Sequence, residues 1–316
     1  MKEQVDGLSE QLSQWIAEAV GGDSVVVRGV HRLYGGVSSI MRRIDLDVDD
    51  EPRAVVLRQF DNEEWLEQEP DLARHEAEAL RRAGALLGER APHIIAYDES
   101  GASTGMPAVL MTRLEGTVDL MPPDIGMWLD ELAAAIACVH AGGGNEDGNE
   151  AEFAWRYFAY WDVDQMVSAQ WEWSQVPDMW RRAVELVRGG MPPYRARFIH
   201  RDYHPTNVLW VDGRVSGVVD WVNACYGPAG IDVGHCRVNL AQLYGVEVAD
   251  AFLDAYQRHA GEAFVYDVYW DVRSLLDMGS DDPPSVYAGW TELGVTGLTD
   301  ELIRARMDAY VASLLG

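Results

Sequence analysis

The sequence contains very little lysine and little positive charge of any kind. Lys2 is its single lysine, and 25 lysines and arginines face 52 aspartates and glutamates, which gives a formal net charge of −27 over 316 residues. A surface of this kind repels nucleic acid and anionic membranes, because both carry phosphate charge. We therefore expect neither as a partner. The negative charge is consistent both with solubility alone and with attraction of a cationic small molecule.

Cysteine and long apolar runs are also scarce. The three cysteines, Cys138, Cys225 and Cys236, lack the spacing of metal ligands. No basic stretch followed by an apolar stretch opens the chain, and even the longest helical pattern contains charged residues. These absences predict a cytoplasmic location with reduced thiols and no membrane span. The oligomeric state is not predicted.

The residue pattern changes from strands to helices near residue 115. Alternating and β-branched runs predict an antiparallel sheet before it, and periodic apolar residues predict helices after it. Strands are predicted over 25–33, 39–48, 54–60, 93–97 and 107–113, and helices over 5–19, 71–87 and 125–140. The tryptophans between 152 and 187 have spacings suited to further helices, in which they are core residues or walls of a cleft. The fold class is α+β, with a small sheet-containing part over 1–114 and a mainly helical part over 115–316.

Three polar residues in the second part have the types and spacing that phosphoryl transfer requires. Asp202 and Asn207 follow the H-R-D-x-x-x-x-N pattern of a kinase catalytic loop, and Asp220 ends a short strand further on. Phosphoryl transfer needs a carboxylate to accept the hydroxyl proton and oxygen ligands for Mg²⁺. We predict Asp202 as the catalytic base and Asn207 with Asp220 as the metal ligands. The competing interpretation gives all three residues structural roles, in which Asp202 caps a turn, Asn207 holds a loop and Asp220 ends a strand.

These motifs resemble the aminoglycoside phosphotransferase family, whose members are antibiotic kinases related to choline kinases and, more distantly, to protein kinases. The resemblance rests on His200 to Asn207 and on Asp220-Trp221 in place of Asp-Phe-Gly, and it extends from the glycines near residue 35 to at least Asn239. It implies a two-lobe protein-kinase-like fold and a nucleoside triphosphate, ATP or GTP, as phosphoryl donor. By the same resemblance, Asp232 has a structural role in holding the catalytic loop.

The resemblance also implies a nucleotide-binding set in the first part. Gly35, Gly36 and Ser38 would belong to the loop over the phosphates, although the full glycine pattern of kinases is missing. Arg58 takes the place of the strand lysine, since no lysine is available there. Glu76 is the helix glutamate that pairs with it, with Glu78 as the competitor.

The hinge is placed by the resemblance alone. Met111 would lie behind the adenine, and the backbones of Thr112 and Leu114 would hydrogen-bond the base. The first lobe would end at this hinge.

Three functions remain open for this fold. The first is an antibiotic O-phosphotransferase, acting for example on an aminoglycoside, whose positive charge matches the acidic chain. The second is a metabolic kinase acting on choline, a sugar or an amino alcohol, where tryptophans could surround a quaternary ammonium. The third is a nucleotide-binding pseudokinase, which the presence of Asp202, Asn207 and Asp220 disfavours.

Overall fold

The protein is described here from a computed structural model that covers residues 8–33, 39–142, 153–167, 169–278 and 283–316. Its chain divides into two compact units, Met1–Glu115 and Gly116–Gly316. In the described part of the chain, no helix is both long enough and apolar enough to cross a membrane.

In its described residues, unit 1 contains a five-stranded antiparallel sheet and three α-helices. The strand order is β1-β2-β3-β5-β4, so that β3 lies at the centre. The strands are β1 (Val25–Leu33), β2 (Ile40–Val48), β3 (Glu51–Gln59), β4 (Ile94–Asp98) and β5 (Ala108–Thr112), and the helices are α1 (Glu10–Val20), α2 (Glu63–Gln68) and α3 (Leu72–Leu87). The predicted small antiparallel sheet is therefore confirmed.

Apolar side chains of α1 and of one sheet face form the core of unit 1. Leu12 and Ile16 of α1 pack on Ile44, Leu46 and other buried strand residues. The Ser9 side chain caps this helix by accepting a hydrogen bond from the backbone N–H of Leu12. Amphipathic spacing and a capping serine thus explain why this segment forms a helix on the sheet.

Unit 2 is mainly helical, as the sequence predicts, and its described residues also contain two short antiparallel strand pairs. The helices are α4 (Ile125–Ala141), α5 (Pro177–Arg188), α6 (Ala229–Tyr244), α7 (Val246–Ala260), α8 (Val268–Met278), α9 (Ala288–Glu292) and α10 (Asp300–Leu315). The strands are β6 (Ala196–Ile199), β7 (Val208–Val211), β8 (Arg214–Val218) and β9 (Cys225–Pro228). Because β6 pairs with β9 and β7 with β8, the loop that joins β6 to β7 is held at both ends.

The predicted helices in the tryptophan-rich segment are largely wrong. Only α5 is an α-helix there, while the described residues before it form irregular chain and a short 3₁₀ turn over Val163–Met166. Trp171 has a left-handed φ of 53°, which is incompatible with a continuous helix. The reason is tertiary packing: the Trp171 and Trp180 rings stack with centroids 4.9 Å apart, and both are buried. These two tryptophans are core residues, whereas Trp161 is 47% exposed.

Asp308 of α10 anchors this aromatic cluster. Its carboxylate accepts hydrogen bonds from Ser174 Oγ at 2.6 Å, from the backbone N–H of Gln175 at 2.7 Å and from Trp180 Nε1 at 2.9 Å. The side chain is buried, so each bond is formed away from water.

We predict that Asp308→Ala lowers the free energy of unfolding by about 3 kcal/mol, because three donors lose a charged acceptor in a buried site. Denaturant titration followed by tryptophan fluorescence measures this change. The control is Asp178→Ala, which removes an exposed carboxylate paired with Arg181 on α5 and should cost less than about 0.5 kcal/mol. Equal losses in the two variants would contradict the anchoring role.

Candidate active site

A short loop between β6 and β7 carries the predicted catalytic base. Asp232 lies near the start of α6. Its carboxylate accepts hydrogen bonds from the first two backbone N–H groups of the loop, from His200 at 2.8 Å and from Arg201 at 2.6 Å. Asp232 is fully buried, and its Oδ2 also lies 2.9 Å from His140 Nε2. Hydrogen bonds to an ionised acceptor are the strong ones. Asp232 therefore holds the loop, the structural role expected for it from the sequence.

Asn207 closes the loop onto Asp202. Its Nδ2 donates to the backbone oxygen of Asp202 at 2.9 Å and lies 3.4 Å from Asp202 Oδ2. The backbone N–H of Val219 donates to the Asn207 carbonyl at 2.9 Å, and the Val219 carbonyl lies 2.8 Å from His200 Nε2. Asp202 and Asn207 are thus in contact. Asp220 comes directly after Val219, whose backbone groups join the end of β8 to the loop.

The backbone is strained on both sides of this arrangement. Arg201 has φ of 70° and Asp220 has φ of 69°, both in the left-handed region that non-glycine residues rarely adopt. Such conformations persist only where the surroundings fix them, and they are concentrated at active sites. Here the hydrogen bonds to Asp232 and across Val219 provide that constraint.

Two histidines contact the Asp202 carboxylate. Asp202 Oδ1 lies 3.0 Å from His235 Nε2 and 3.6 Å from His204 Nε2. Burial favours the neutral acid, but the positive charge of His204 in its protonated state, present in acid, and the hydrogen bond from His235 outweigh it and hold the pKa of Asp202 well below its usual range. Burial also lowers the pKa of His204 to about 4, against the attraction of Asp202. At neutral pH Asp202 is therefore ionised and His204 is neutral.

Unit 1 contains a buried ion pair between Arg58 of β3 and Glu76 of α3. Arg58 Nη1 lies 2.8 Å from Glu76 Oε1, and Arg58 Nε donates to Ser39 Oγ at 2.8 Å. Glu78, the competing glutamate, instead pairs with Arg81. The structure therefore selects Glu76 as the partner of Arg58. Two buried charges need such pairing, because leaving either one alone in the interior is costly.

Comparisons with known proteins identify the family of the chain. The model of the phosphotransferase enzyme family matches residues 46–270. The chain belongs to this family. The predicted family and enzyme class, a phosphotransferase with an alcohol group as acceptor, are confirmed. Among curated proteins, none matches the chain by sequence.

Solved structures support the kinase-like fold of this phosphotransferase. A candidate aminoglycoside phosphotransferase from Ralstonia eutropha JMP134 superposes with a TM-score of 0.64 at 15% identity, over 96% of this chain and 97% of that one. Aminoglycoside phosphotransferase APH(4)-Ia gives 0.58 at 18% identity, over 97% and 99%. Macrolide 2′-phosphotransferase MphH from Brachybacterium faecium gives 0.53 at 17% identity, over 79% and 82%. At these identities the likeness establishes the fold, and the predicted fold class is confirmed.

The structure describes only some of the other residues that are predicted to bind the nucleotide of this phosphotransferase. Gly35, Gly36 and Ser38 lie outside the described residues. Met111 is buried in β5, and the backbone N–H of Thr112 already donates to the His93 carbonyl at 2.9 Å. In a hydrogen bond between Thr112 and a base, the Thr112 carbonyl would therefore be the acceptor.

Leu114 follows the end of β5 and is partly exposed. It lies in irregular chain, so its backbone groups are not part of the sheet ladder. Its predicted role toward the base depends on the resemblance alone.

Aromatic and charged side chains form a wall beside Asp202. A cavity of about 80 Å³ is lined by Tyr157, Tyr160, Arg201, His235 and Asp277, among others. The Arg201 guanidinium lies 3.9 Å from the ring centroid of Tyr160 and is also stacked on a neighbouring phenylalanine. These rings stabilise the cation by cation–π attraction. Because His235 both lines this cavity and bonds to Asp202, the cavity is next to the predicted base.

His235 is the residue that the sequence did not identify. Its position was nevertheless signalled by Asp232, three residues earlier on the same helix, because side chains at i and i+3 share a helix face. A helix that directs Asp232 toward the loop directs His235 toward it as well.

We predict that Asp232→Asn speeds amide hydrogen exchange of the loop at His200 and Arg201 by about ten- to a hundredfold, because a hydrogen bond to a charged group contributes about 1.5–3 kcal/mol. Exchange measured by mass spectrometry on peptides covering the loop tests this. Asp250→Asn is the matched control, since Asp250 pairs with Arg237 and is 57% exposed. Unchanged exchange in Asp232→Asn would show that the loop does not depend on this carboxylate.

Proposed function

We propose that this phosphotransferase transfers the γ-phosphoryl group of ATP or GTP to a hydroxyl of a small molecule, most favourably a cationic antibiotic such as an aminoglycoside. The observation that carries the proposal is the Asp202 carboxylate: it is ionised, is fixed by Asn207 and His235, and is still 30% exposed. A base for an incoming hydroxyl needs this combination of charge, fixed position and access.

In the proposed step, Asp202 orients the acceptor hydroxyl and takes its proton. The hydroxyl oxygen forms a bond to the γ-phosphorus while the bond from that phosphorus to the bridging oxygen breaks, and the bonding electrons leave with the nucleoside diphosphate. Positioning and electrostatic stabilisation provide most of the catalysis in such reactions. Arg58, held by Glu76 and Ser39, would bind phosphate oxygens from unit 1.

Asn207 and Asp220 fit a role in holding Mg²⁺, which would neutralise charge on the phosphates. Both offer oxygen atoms, the ligands that Mg²⁺ prefers. The Asn207 Nδ2 is directed to Asp202, and this orientation leaves the amide oxygen as its ligand atom. The strained backbone at Asp220 indicates that the direction of this side chain matters.

The nature of donor and acceptor is supported by the solved relatives. One structure of APH(4)-Ia is a ternary complex with AMP-PNP and hygromycin B, and another relative, APH(9)-Ia, is in complex with ADP and spectinomycin. The net charge of −27 favours a cationic acceptor. A choline-type acceptor, the metabolic alternative, would need an open aromatic cage, but the rings of Phe158 and Tyr160 beside Asp202 already surround the Arg201 guanidinium.

Nucleotide turnover across acceptors tests the proposed function. We expect a coupled assay with Mg²⁺ and either ATP or GTP to detect turnover with one antibiotic class among aminoglycosides, macrolides, choline and simple sugars. Turnover with only choline or a sugar would instead support the metabolic kinase. Nucleotide binding without turnover on any acceptor would favour the pseudokinase.

We predict that Asp202→Asn lowers kcat by about 10²–10⁴-fold, the usual contribution of a general base, and leaves nucleotide binding close to that of the wild type. Steady-state kinetics and calorimetric nucleotide titration measure the two quantities. Asp212→Asn is the control, because Asp212 lies in the exposed β7–β8 turn and has no predicted role in the site. Full activity in Asp202→Asn would exclude the mechanism.

We predict that Asp220→Asn weakens Mg²⁺-dependent nucleotide binding by about tenfold or more, equivalent to about 1.4 kcal/mol, since a charged metal ligand is lost. Binding is measured with and without Mg²⁺ in the variant and in Asp212→Asn. If Mg²⁺ strengthens binding equally in both variants, Asp220 does not hold the metal.

A further inference from the structure

Asp202, His204 and His235 form a cluster with the composition of a transition-metal site. Each offers one ligand atom, and these atoms all lie within 4.8 Å of one another. Both histidine Nε2 atoms face the same carboxylate oxygen, Asp202 Oδ1, at 3.0 Å from His235 and 3.6 Å from His204. This convergence is what a single ion bound by three side chains requires.

Thr206 fixes the orientation of the His204 ring. Its Oγ1 lies 2.6 Å from His204 Nδ1, so that Nε2 is the ring nitrogen turned toward Asp202. Histidine ligands of metals usually have such a partner on the second nitrogen, which sets the ring orientation and the tautomer.

The cluster is accessible and lies in an acidic protein. The side chains of His204 and His235 are each 15% exposed and that of Asp202 is 30% exposed, which leaves a path for a hydrated ion. An ion would replace the proton between His235 and Asp202 and the 3.2 Å contact between Asn207 Nδ2 and His204 Nε2. Both are contacts between side chains.

We propose that Asp202, His204 and His235 bind one divalent transition-metal ion, with Zn²⁺ as the preferred ion, and that this ion inhibits phosphoryl transfer. Two imidazoles and one carboxylate favour zinc or cobalt over magnesium, which takes oxygen ligands. Three protein ligands leave one position for water, the arrangement of an open zinc site. The inhibitory part rests on the proposed function, because a metal ion on the Asp202 carboxylate would lower its basicity toward the acceptor hydroxyl.

Metal binding is tested first without nucleotide or acceptor. Metal-free full-length protein is titrated with Co²⁺, and we expect intense visible absorption of four- or five-coordinate cobalt at one ion per chain, lost again on adding Zn²⁺. His235→Gln and His204→Gln should each weaken Co²⁺ binding by at least about tenfold, while circular dichroism confirms that they are folded. Equal Co²⁺ affinity in wild type and both variants, or cobalt without intense bands, would overturn the site.

His259→Gln is the matched control for this titration. His259 Nε2 lies 3.1 Å from Asp130 Oδ1, so this variant removes a histidine–aspartate pair of the same chemistry that is not part of the Asp202, His204 and His235 cluster. We expect Co²⁺ binding in it to match the wild type. Loss of binding in His259→Gln as large as in His235→Gln would show surface chelation in place of the three-residue site.

Turnover then tests the inhibitory part. At saturating Mg²⁺ and nucleotide, Zn²⁺ should inhibit the wild type, and the residual turnover of His235→Gln should need at least about tenfold more Zn²⁺ for half inhibition. Equal Zn²⁺ sensitivity in the two proteins would contradict inhibition through this site. Cobalt binding without turnover on any acceptor would leave the metal site supported and the proposed function rejected, whereas turnover without cobalt binding would give the reverse result.

Discussion

The buried carboxylate of Asp232 is the constraint on which the arrangement of unit 2 depends. It joins α6 to the first two amides of the loop and, through His140, to α4. A fully buried charge is tolerated only when its acceptor capacity is used, and here three donors use it. The left-handed backbone at Arg201 is held by one of these bonds, so the direction of the following residue, Asp202, is fixed by a group that has no part in the chemistry.

A second buried charge organises unit 1. Arg58 contacts Ser39 and Glu76 at once, which its branched guanidinium permits and a lysine ammonium would do less rigidly. The near absence of lysine in the sequence is therefore matched by a local geometry that suits arginine. The same preference recurs at Arg237, whose guanidinium pairs with both Asp250 and Asp271 in unit 2.

The sequence predicted those features that depend on local spacing or on one amphipathic face. The Asp202–Asn207 contact spans five residues and is fixed by one tight loop. The choice between Glu76 and Glu78 could also have been made, because Glu76 shares the buried face of α3 with His75 and Leu80, whereas Glu78 does not.

Features that depend on packing between distant segments could not be predicted in this way. His235 meets Asp202 only because α6 lies against the loop, a contact between residues 33 positions apart. Trp171 has helical spacing to its neighbours, yet its stacking on Trp180 overrides that local preference. The predicted roles of Thr112 and Leu114 toward a base are backbone roles, which no side-chain pattern encodes.

The arginine in β3 has a consequence for chemical modification of the protein. Reagents that acylate amines react with lysine side chains and the α-amino group, but not with a guanidinium. Lys2 is the single lysine of the sequence, so acylation of lysine side chains is confined to this residue and leaves the Arg58–Glu76 pair and the loop around Asp202 unmodified. Ordinary amine chemistry can therefore attach a surface or a dye at Lys2 without altering the residues that are proposed to bind phosphate.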